Sequence, residues 1–289
     1  MNYQSYEDMA NVIRRNLWKI PEDVDLIVGV PRSGMIAALM ISELMNRRCT
    51  NLESFIHHSG MMTGGIRLSH MKAQQVTKVL IVEDVVNTGC SLNQVASDIQ
   101  KEWQFPLSQD TELLICAVYA EGPDAKYKVD ICLQDNYNPA DPDWFYEWNI
   151  LHHSKSDRHL WDIDGLLCKN PPDDHNTAAY EQYISNPVAM VIPTYPVGGF
   201  VTYRLEKYRA LTQDWLKRQG IKYKELVMFP SDDRDSRNMQ MSPAVFKANI
   251  YRNLPQYNLF VESDTKQAEL ICTLSDKPVY CYETGKLYK

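Results

Sequence analysis

The first half of the chain contains the stretch Val79-Leu80-Ile81-Val82-Glu83-Asp84-Val85-Val86-Asn87-Thr88-Gly89-Cys90-Ser91. Its apolar residues predict a buried strand, which ends in two consecutive carboxylates and is followed by a turn that opens a helix. Such a turn points backbone N–H groups and hydroxyls toward an anion at a helix N-terminus. Two acids beside an anion site need a positive partner between them, and a ribose hydroxyl pair or a Mg²⁺ ion would both serve.

Apolar runs alternate with helical segments on both sides of this stretch. Runs at 24–30, 78–82 and 113–119 are separated by segments of helical composition at 35–45 and at about 92–103. Connections of this length cross over between parallel strands, so the pattern predicts an α/β fold with a parallel sheet.

The same alternation restarts after a turn-rich, aromatic segment that spans residues 134–157. The second half is predicted to contain strands into Asp162 and into Thr202, an amphipathic helix through Leu205 and Trp215, and strands at 225–229 and 259–262. We therefore predict two α/β domains, residues 1–153 and 154–289.

Net charge, the length of apolar stretches and cysteine spacing exclude several classes of protein. The 289 residues carry 30 basic and 37 acidic side chains, a net charge of −7, and a binder of nucleic-acid phosphates would show a basic excess. No stretch approaches the roughly 18 apolar residues of a membrane span, and the N-terminus lacks a signal-peptide pattern, so we expect a cytoplasmic protein. The seven cysteines include no C-x-x-C pair, which argues against a zinc knuckle.

The stretch quoted first resembles the phosphoribosyl pyrophosphate (PRPP) motif of the type I phosphoribosyltransferases. In that motif an apolar strand, two acids and two apolar residues precede a T-T-G-x-T loop, whose first and last positions are Asn87 and Ser91 here. The resemblance implies that Glu83 and Asp84 hold the ribose hydroxyls and take part in catalysis. It also implies that the 5-phosphate is held by the loop residues Asn87, Thr88, Gly89, Cys90 and Ser91.

Two further segments fit the same family. Gly29-Val30-Pro31-Arg32-Ser33-Gly34 ends a strand where those enzymes carry the pyrophosphate loop, which implies PRPP contacts at Arg32, Ser33 and Gly34. Residues 57–72 lie where the family has a flexible lid over the reacting centre, and they include Arg67 and Lys72.

A second acidic motif opens the second half. Asp162-Ile163-Asp164-Gly165 follows a predicted strand, and two carboxylates at this spacing can act as nucleophile and as proton donor to a leaving oxygen. A Mg²⁺ ion is expected beside them, because a carboxylate approaches a phosphate only when the phosphate charge is neutralised.

The residues that follow in order resemble the haloacid dehalogenase (HAD) phosphatase superfamily. The resemblance implies that Asp162 is the nucleophile, Asp164 the acid/base, and Thr202 and Lys247 the phosphate holders. The expected metal ligands are Asp162, Asp164, Glu262 and Asp264, and the choice between the last two stays open. Tyr203 stands where the family usually has Gly, while Arg204 is kept. Only about 35 residues separate Gly165 from Thr202, so a minimal cap is expected.

The two resemblances together predict a bifunctional enzyme. The first domain would transfer 5-phosphoribose from PRPP to an acceptor, and the second would remove the 5-phosphate. The pairing is similar to modules of bacterial polysaccharide assembly, which implies a glycan hydroxyl as acceptor and ribofuranose as product. A nucleobase phosphoribosyltransferase joined to a nucleotidase, and a PRPP-sensing protein without turnover, are the alternatives. The acceptor, its linkage and a homodimeric state stay open.

Overall fold

The computed structural model describes residues 1–57, 76–90, 95, 111–141, 143–171, 177–231 and 240–289. Contacts divide the chain into two compact units, Met1–Trp144 and Phe145–Lys289. The sequence placed its boundary between residues 153 and 154, within the second unit. Both units have a mixed α/β architecture with parallel strands, as the sequence predicts.

Five parallel strands form the sheet of the first unit, in the order β3-β2-β4-β5-β6. Their bounds are β2 (Leu26–Gly29), β3 (Arg48–Asn51), β4 (Lys78–Val86), β5 (Glu112–Ala120) and β6 (Ile131–Asp135), and a short β1 (Asn2–Gln4) precedes them. Strand β4 is central, and Val79 to Val82 are buried without a polar face. A parallel strand that is covered on both sides of its sheet requires such a continuous apolar run.

The helices of the first unit are α1 (Tyr6–Asn16), α2 (Gly34–Met45) and α3 (Leu52–Ile56), with 3₁₀ turns at Leu17–Lys19 and Ala125–Lys128. Helix α1 begins at a capping box, because the Ser5 hydroxyl accepts from the Asp8 N–H and the Asp8 carboxylate accepts from the Ser5 N–H. Its buried residues Met9, Val12 and Ile13 lie on one face at helical spacing.

The second unit contains a six-stranded sheet in the order β10-β9-β8-β11-β12-β13. Its strands are β8 (His159–Trp161), β9 (Val197–Leu205), β10 (Tyr223–Phe229), β11 (Leu259–Glu262), β12 (Val279–Cys281) and β13 (Lys286–Tyr288), while β7 (Trp144–Tyr146) lies at the division between the units. All neighbouring pairs are parallel except β12 with β13.

The helices of the second unit are α4 (Thr177–Ser185), α5 (Arg209–Arg218), α6 (Pro243–Arg252) and α7 (Thr265–Ser275), with 3₁₀ turns at Ile150–His152, Ser154–Arg158 and Glu206–Tyr208. The amphipathic helix predicted through Leu205 begins only at Arg209, because β9 continues through Leu205 and a 3₁₀ turn intervenes. Large side chains such as Trp161, Phe200 and Trp215 fill the core. Among the described residues, no helix is both long and apolar enough to cross a membrane.

Candidate functional site

The two acids of the first unit lie on β4 near its carboxyl end. Glu83 and Asp84 are buried, with 9% and 5% of their surface exposed. Gly29 of β2 pairs with Val82, and the Val30 N–H donates to the Val82 carbonyl at 3.0 Å. Because neighbouring parallel strands end at the same edge, the turn that follows β2 begins beside these carboxylates.

The predicted pyrophosphate turn approaches β4 closely. A Cβ atom at Gly34 would lie 2.6 Å from the Val82 carbonyl oxygen and 3.2 Å from the Glu83 Cα, so only glycine allows this approach. The Arg32 side chain is exposed at the start of the turn, and the Pro31–Arg32 peptide is cis. The structure therefore brings two of the predicted PRPP segments together at one edge of the sheet.

The predicted phosphate loop continues directly from β4. Asn87 and Thr88 are exposed, Gly89 is buried with a φ of +77°, and the Cys90 N–H donates to the Thr88 hydroxyl at 3.4 Å. Ser91, Arg67, Lys72 and residues 58–72 of the predicted lid lie outside the described residues.

In the second unit a buried lysine joins two of the predicted acids. Asp162 follows β8 and Glu262 ends the neighbouring β11, and the Asp162 N–H donates to the Val261 carbonyl at 2.9 Å. The Lys247 ammonium, on α6, donates at 2.7 Å to Asp162 Oδ2 and at 2.7 Å to Glu262 Oε2. All three residues are at most 4% exposed, so each charge depends on its partners for stabilisation.

The pKa values of this cluster follow from burial and charge. Burial raises the pKa of Asp162, and the Lys247 ammonium offsets that effect only in part because the Glu262 and Asp164 carboxylates add to it. Burial alone would lower the pKa of Lys247, but attraction to Asp162 and Glu262 outweighs it and raises the pKa. The pKa of Asp162 is thus raised to about 8, and a cation bound at this edge would favour the ionised form of that carboxyl.

Asp164 has a different set of partners. Arg204 donates from Nε to Oδ2 at 3.0 Å and from Nη2 to Oδ1 at 2.6 Å, and the Tyr183 hydroxyl donates to Oδ1 at 2.6 Å. Burial on its own would raise the pKa of Asp164, but the Arg204 guanidinium and the Tyr183 hydroxyl lower it below the ordinary value. Asp164 is thus held as a carboxylate in this arrangement, and a proton-donor role would require Arg204 to withdraw. No sequence motif predicts the hydrogen bond between Asp164 and Tyr183, which are 19 residues apart.

Thr202 and Asp264, which the sequence also predicts for the phosphatase site, are bonded to other groups. Thr202 is fully buried on β9, and its hydroxyl accepts from the Arg204 N–H at 3.3 Å. Asp264 is the N-cap of α7 and accepts from the Gln267 N–H at 2.8 Å. Glu262 shares Lys247 with Asp162, so the geometry favours Glu262 over Asp264 as the second acid of the site.

The donor set of Asp162 and Glu262 fits a magnesium ion in kind and charge. Within the described part of the chain, no three His, Cys, Asp or Glu side chains lie close enough together to hold a metal ion. Magnesium, however, is usually bound by one or two carboxylates while waters and substrate phosphates fill its other positions. Asp162 and Glu262 supply two hard oxygen ligands of this kind.

Comparison with known proteins gives distant likenesses. No protein-family model matches the chain. The chain is 28% identical over 101 residues to the transcriptional regulator GfcR of Thermoplasma acidophilum, which is 35% of this chain and 49% of that protein. The chain thus spans about half the length of this relative.

Solved structures show similarity at low identity. The xanthine-guanine-hypoxanthine phosphoribosyltransferase of Helicobacter pylori is 19% identical, with a TM-score of 0.36 over 52% of this chain and 93% of that chain. The orotate phosphoribosyltransferase of Aeropyrum pernix is 14% identical, with a TM-score of 0.28 over 45% and 71%. A chain of the Pnkp1/Rnl/Hen1 complex is 12% identical, with a TM-score of 0.33 over 89% and 94%. At these TM-scores the likenesses establish neither a family nor an activity.

The variant Lys247→Met tests the buried charge cluster. The substitution removes the ammonium group and leaves two neighbouring buried carboxyl groups without it. We therefore expect the free energy of unfolding of the second unit to fall by about 3–5 kcal/mol at pH 7. Without the Lys247 ammonium, the folded-state pKa of Asp162 lies still further above its unfolded value, so the variant should regain stability as the pH falls toward 5. Urea unfolding at pH 5 and pH 7 measures both effects.

Lys224→Met is the matched control, because the Lys224 ammonium contacts Asp157 at 3.2 Å in an exposed ion pair. Removing such a pair should cost less than about 1 kcal/mol. Equal stability of Lys247→Met and the wild type at both pH values would contradict the proposed electrostatics.

Proposed function

We propose that the first unit transfers 5-phosphoribose from PRPP to an acceptor with release of pyrophosphate. The observation that carries this proposal is the buried pair Glu83 and Asp84 on β4. The 29–34 turn lies beside this pair, and β4 is followed directly by the loop residues 87–90. A ribose between two anion-binding turns, with its hydroxyls on the acids, matches the shape and charge of PRPP.

The proposed roles follow from charge. Glu83 and Asp84 accept hydrogen bonds from the ribose hydroxyls and stabilise the positive charge that develops at the anomeric carbon during transfer. Arg32 pairs with the leaving pyrophosphate, and the 87–91 loop holds the 5-phosphate. A bound Mg²⁺ ion would supply neutralisation of the pyrophosphate charge. The bond from the anomeric carbon to the pyrophosphate oxygen breaks as the bond to the acceptor forms.

We propose that the second unit hydrolyses the 5-phosphate ester. An ionised Asp162 oxygen forms a bond to phosphorus while the bond to the ribose 5-oxygen breaks. The ribose 5-oxygen takes up a proton from Asp164, which must first be released by Arg204 and protonated. Water then releases inorganic phosphate from Asp162. Lys247 and Thr202 would hold the phosphate oxygens, and Asp162 with Glu262 would hold Mg²⁺. This proposal is supported by the position of Lys247 between the two carboxylates.

The two reactions in series would leave a ribofuranosyl unit on the acceptor. We propose a glycan hydroxyl as acceptor, in bacterial polysaccharide biosynthesis, and a nucleobase acceptor is the alternative. A second candidate function is PRPP sensing without turnover, which is favoured by the partial match to a protein named as a transcriptional regulator.

Pyrophosphate release tests the first reaction and its acceptor. The purified chain with PRPP and Mg²⁺ should release pyrophosphate in the presence of a glycan acceptor, and not in the presence of free nucleobases. Glu83→Gln should lower the rate by roughly 10²–10³-fold, because a charge that stabilises the transition state is removed. The matched control is Glu7→Gln, since Glu7 is exposed on α1. Release with nucleobases alone would contradict the glycan proposal, and PRPP binding without release would favour sensing.

Inorganic phosphate release tests the second reaction. Asp162→Asn removes the attacking oxygen, so phosphate release should fall by at least about 10³-fold while pyrophosphate release persists. Mass spectrometry should then detect an accumulated phosphoribosylated acceptor. Asp214→Asn, at an exposed ion pair with Arg218, is the control. Loss of both activities in Asp162→Asn would contradict the assignment of separate sites.

A further inference from the structure

The connection between β5 and β6 runs alongside the phosphate loop of the first unit. The Glu121 N–H donates to the Val86 carbonyl at 2.9 Å, at the end of β4. One residue further on, a Cβ atom at Gly122 would lie 2.9 Å from the Asn87 carbonyl oxygen and 3.0 Å from Asn87 Oδ1. Residues 121 and 122 therefore lie in direct contact with the start of the loop.

The same connection contacts the centre of the loop through Lys128, at the end of the 3₁₀ turn Ala125–Lys128. The Lys128 ammonium donates to the Thr88 carbonyl at 2.7 Å, across 40 residues of sequence. Its aliphatic stem covers Gly89, because a Cβ atom at that position would lie 2.9 Å from Lys128 Cδ. Gly89 is accordingly buried although its neighbours Thr88 and Cys90 are exposed.

This contact fixes the orientation of one peptide group. Among the described residues the only cis peptide is Pro31–Arg32, so the Thr88–Gly89 peptide is trans. In a trans peptide the carbonyl and the following N–H point in opposite directions. Because Lys128 holds the Thr88 carbonyl on one side of the loop, the Gly89 N–H is directed to the other side. The positive φ of Gly89, +77°, continues the chain from that orientation.

We propose that Lys128 is a positioning residue that orients the Thr88–Gly89 peptide so that its N–H binds the 5-phosphate of PRPP. The proposal rests on the proposed PRPP site and deepens it. The Lys128 ammonium binds the Thr88 carbonyl, on the side of the peptide opposite the Gly89 N–H, so it acts through the loop and not by contact with the phosphate. Its effect is therefore on affinity for the phosphate group, which is bound in the same way before and during the transfer step.

Lys128→Met is the direct test, because it keeps most of the stem while removing the donor. A hydrogen bond from a charged group is lost, so the KM for PRPP and the equilibrium Kd should rise about tenfold. The kcat should stay within about twofold, since uniform binding is lost and not transition-state binding alone. Lys128→Arg should restore the KM to within about threefold of the wild type.

Lys126→Met is the matched control. Lys126 lies in the same 3₁₀ turn, but its ammonium pairs with Asp135 at 2.7 Å and not with the loop. Its KM for PRPP should equal that of the wild type. A merely structural role of the turn would instead change the thermal unfolding of both variants and leave the KM of folded protein unchanged.

Gly89→Ala provides a second route that keeps the Lys128 ammonium but changes the peptide that it contacts. The new methyl group would displace the Lys128 stem and would disfavour the positive φ, so the KM should rise at least as much as in Lys128→Met. An unchanged KM in either variant, or a fall in kcat at constant KM, overturns the proposal for Lys128 and leaves the PRPP site intact. If the wild type itself binds no PRPP in the presence of Mg²⁺, the proposed function fails, and the role of Lys128 fails with it.

Discussion

Parallel pairing of strands determines which residues can meet in each unit. In the first unit β4 lies between β2 and β5, and in the second unit β8 lies between β9 and β11. Because parallel strands end at one edge, the segments that follow them converge there. This constraint brings the 29–34 turn beside Glu83 in the first unit, and Asp162 beside Glu262 in the second. Both candidate phosphate sites therefore lie at the same kind of edge.

The carboxyl edges of the two sheets differ in their charged groups. In the second unit, Lys247 pairs with Asp162 and Glu262, and Arg204 pairs with Asp164. Burial raises the pKa of Asp162, and attack on phosphorus needs the ionised form, so a cation that favours ionisation is part of the proposed chemistry. In the first unit, the acids lie beside the 29–34 turn, in which Arg32 is exposed, and β4 is followed by the exposed loop residues Asn87 and Thr88.

Sequence patterns predicted the local structure well and the tertiary contacts poorly. The apolar run that begins at Val79 predicted the central strand, and the acids and turn that follow predicted where this strand ends. Both features depend on residues close together in the sequence. The bidentate contact of Arg204 with Asp164 and the reach of Lys128 to Thr88 were not predicted, since each joins residues 40 positions apart. Likewise, α5 begins at Arg209 because β9 packs through Leu205, which helical spacing alone does not show.

A crystal structure of the full chain with PRPP and Mg²⁺ tests the central claim most directly, namely that the carboxyl edge of β4 is a PRPP site. The account predicts the ribose hydroxyls against Glu83 and Asp84, the pyrophosphate beside Arg32, and the 5-phosphate on the loop that begins at Asn87. PRPP bound elsewhere on the chain, or no bound PRPP at saturating concentration, would contradict it.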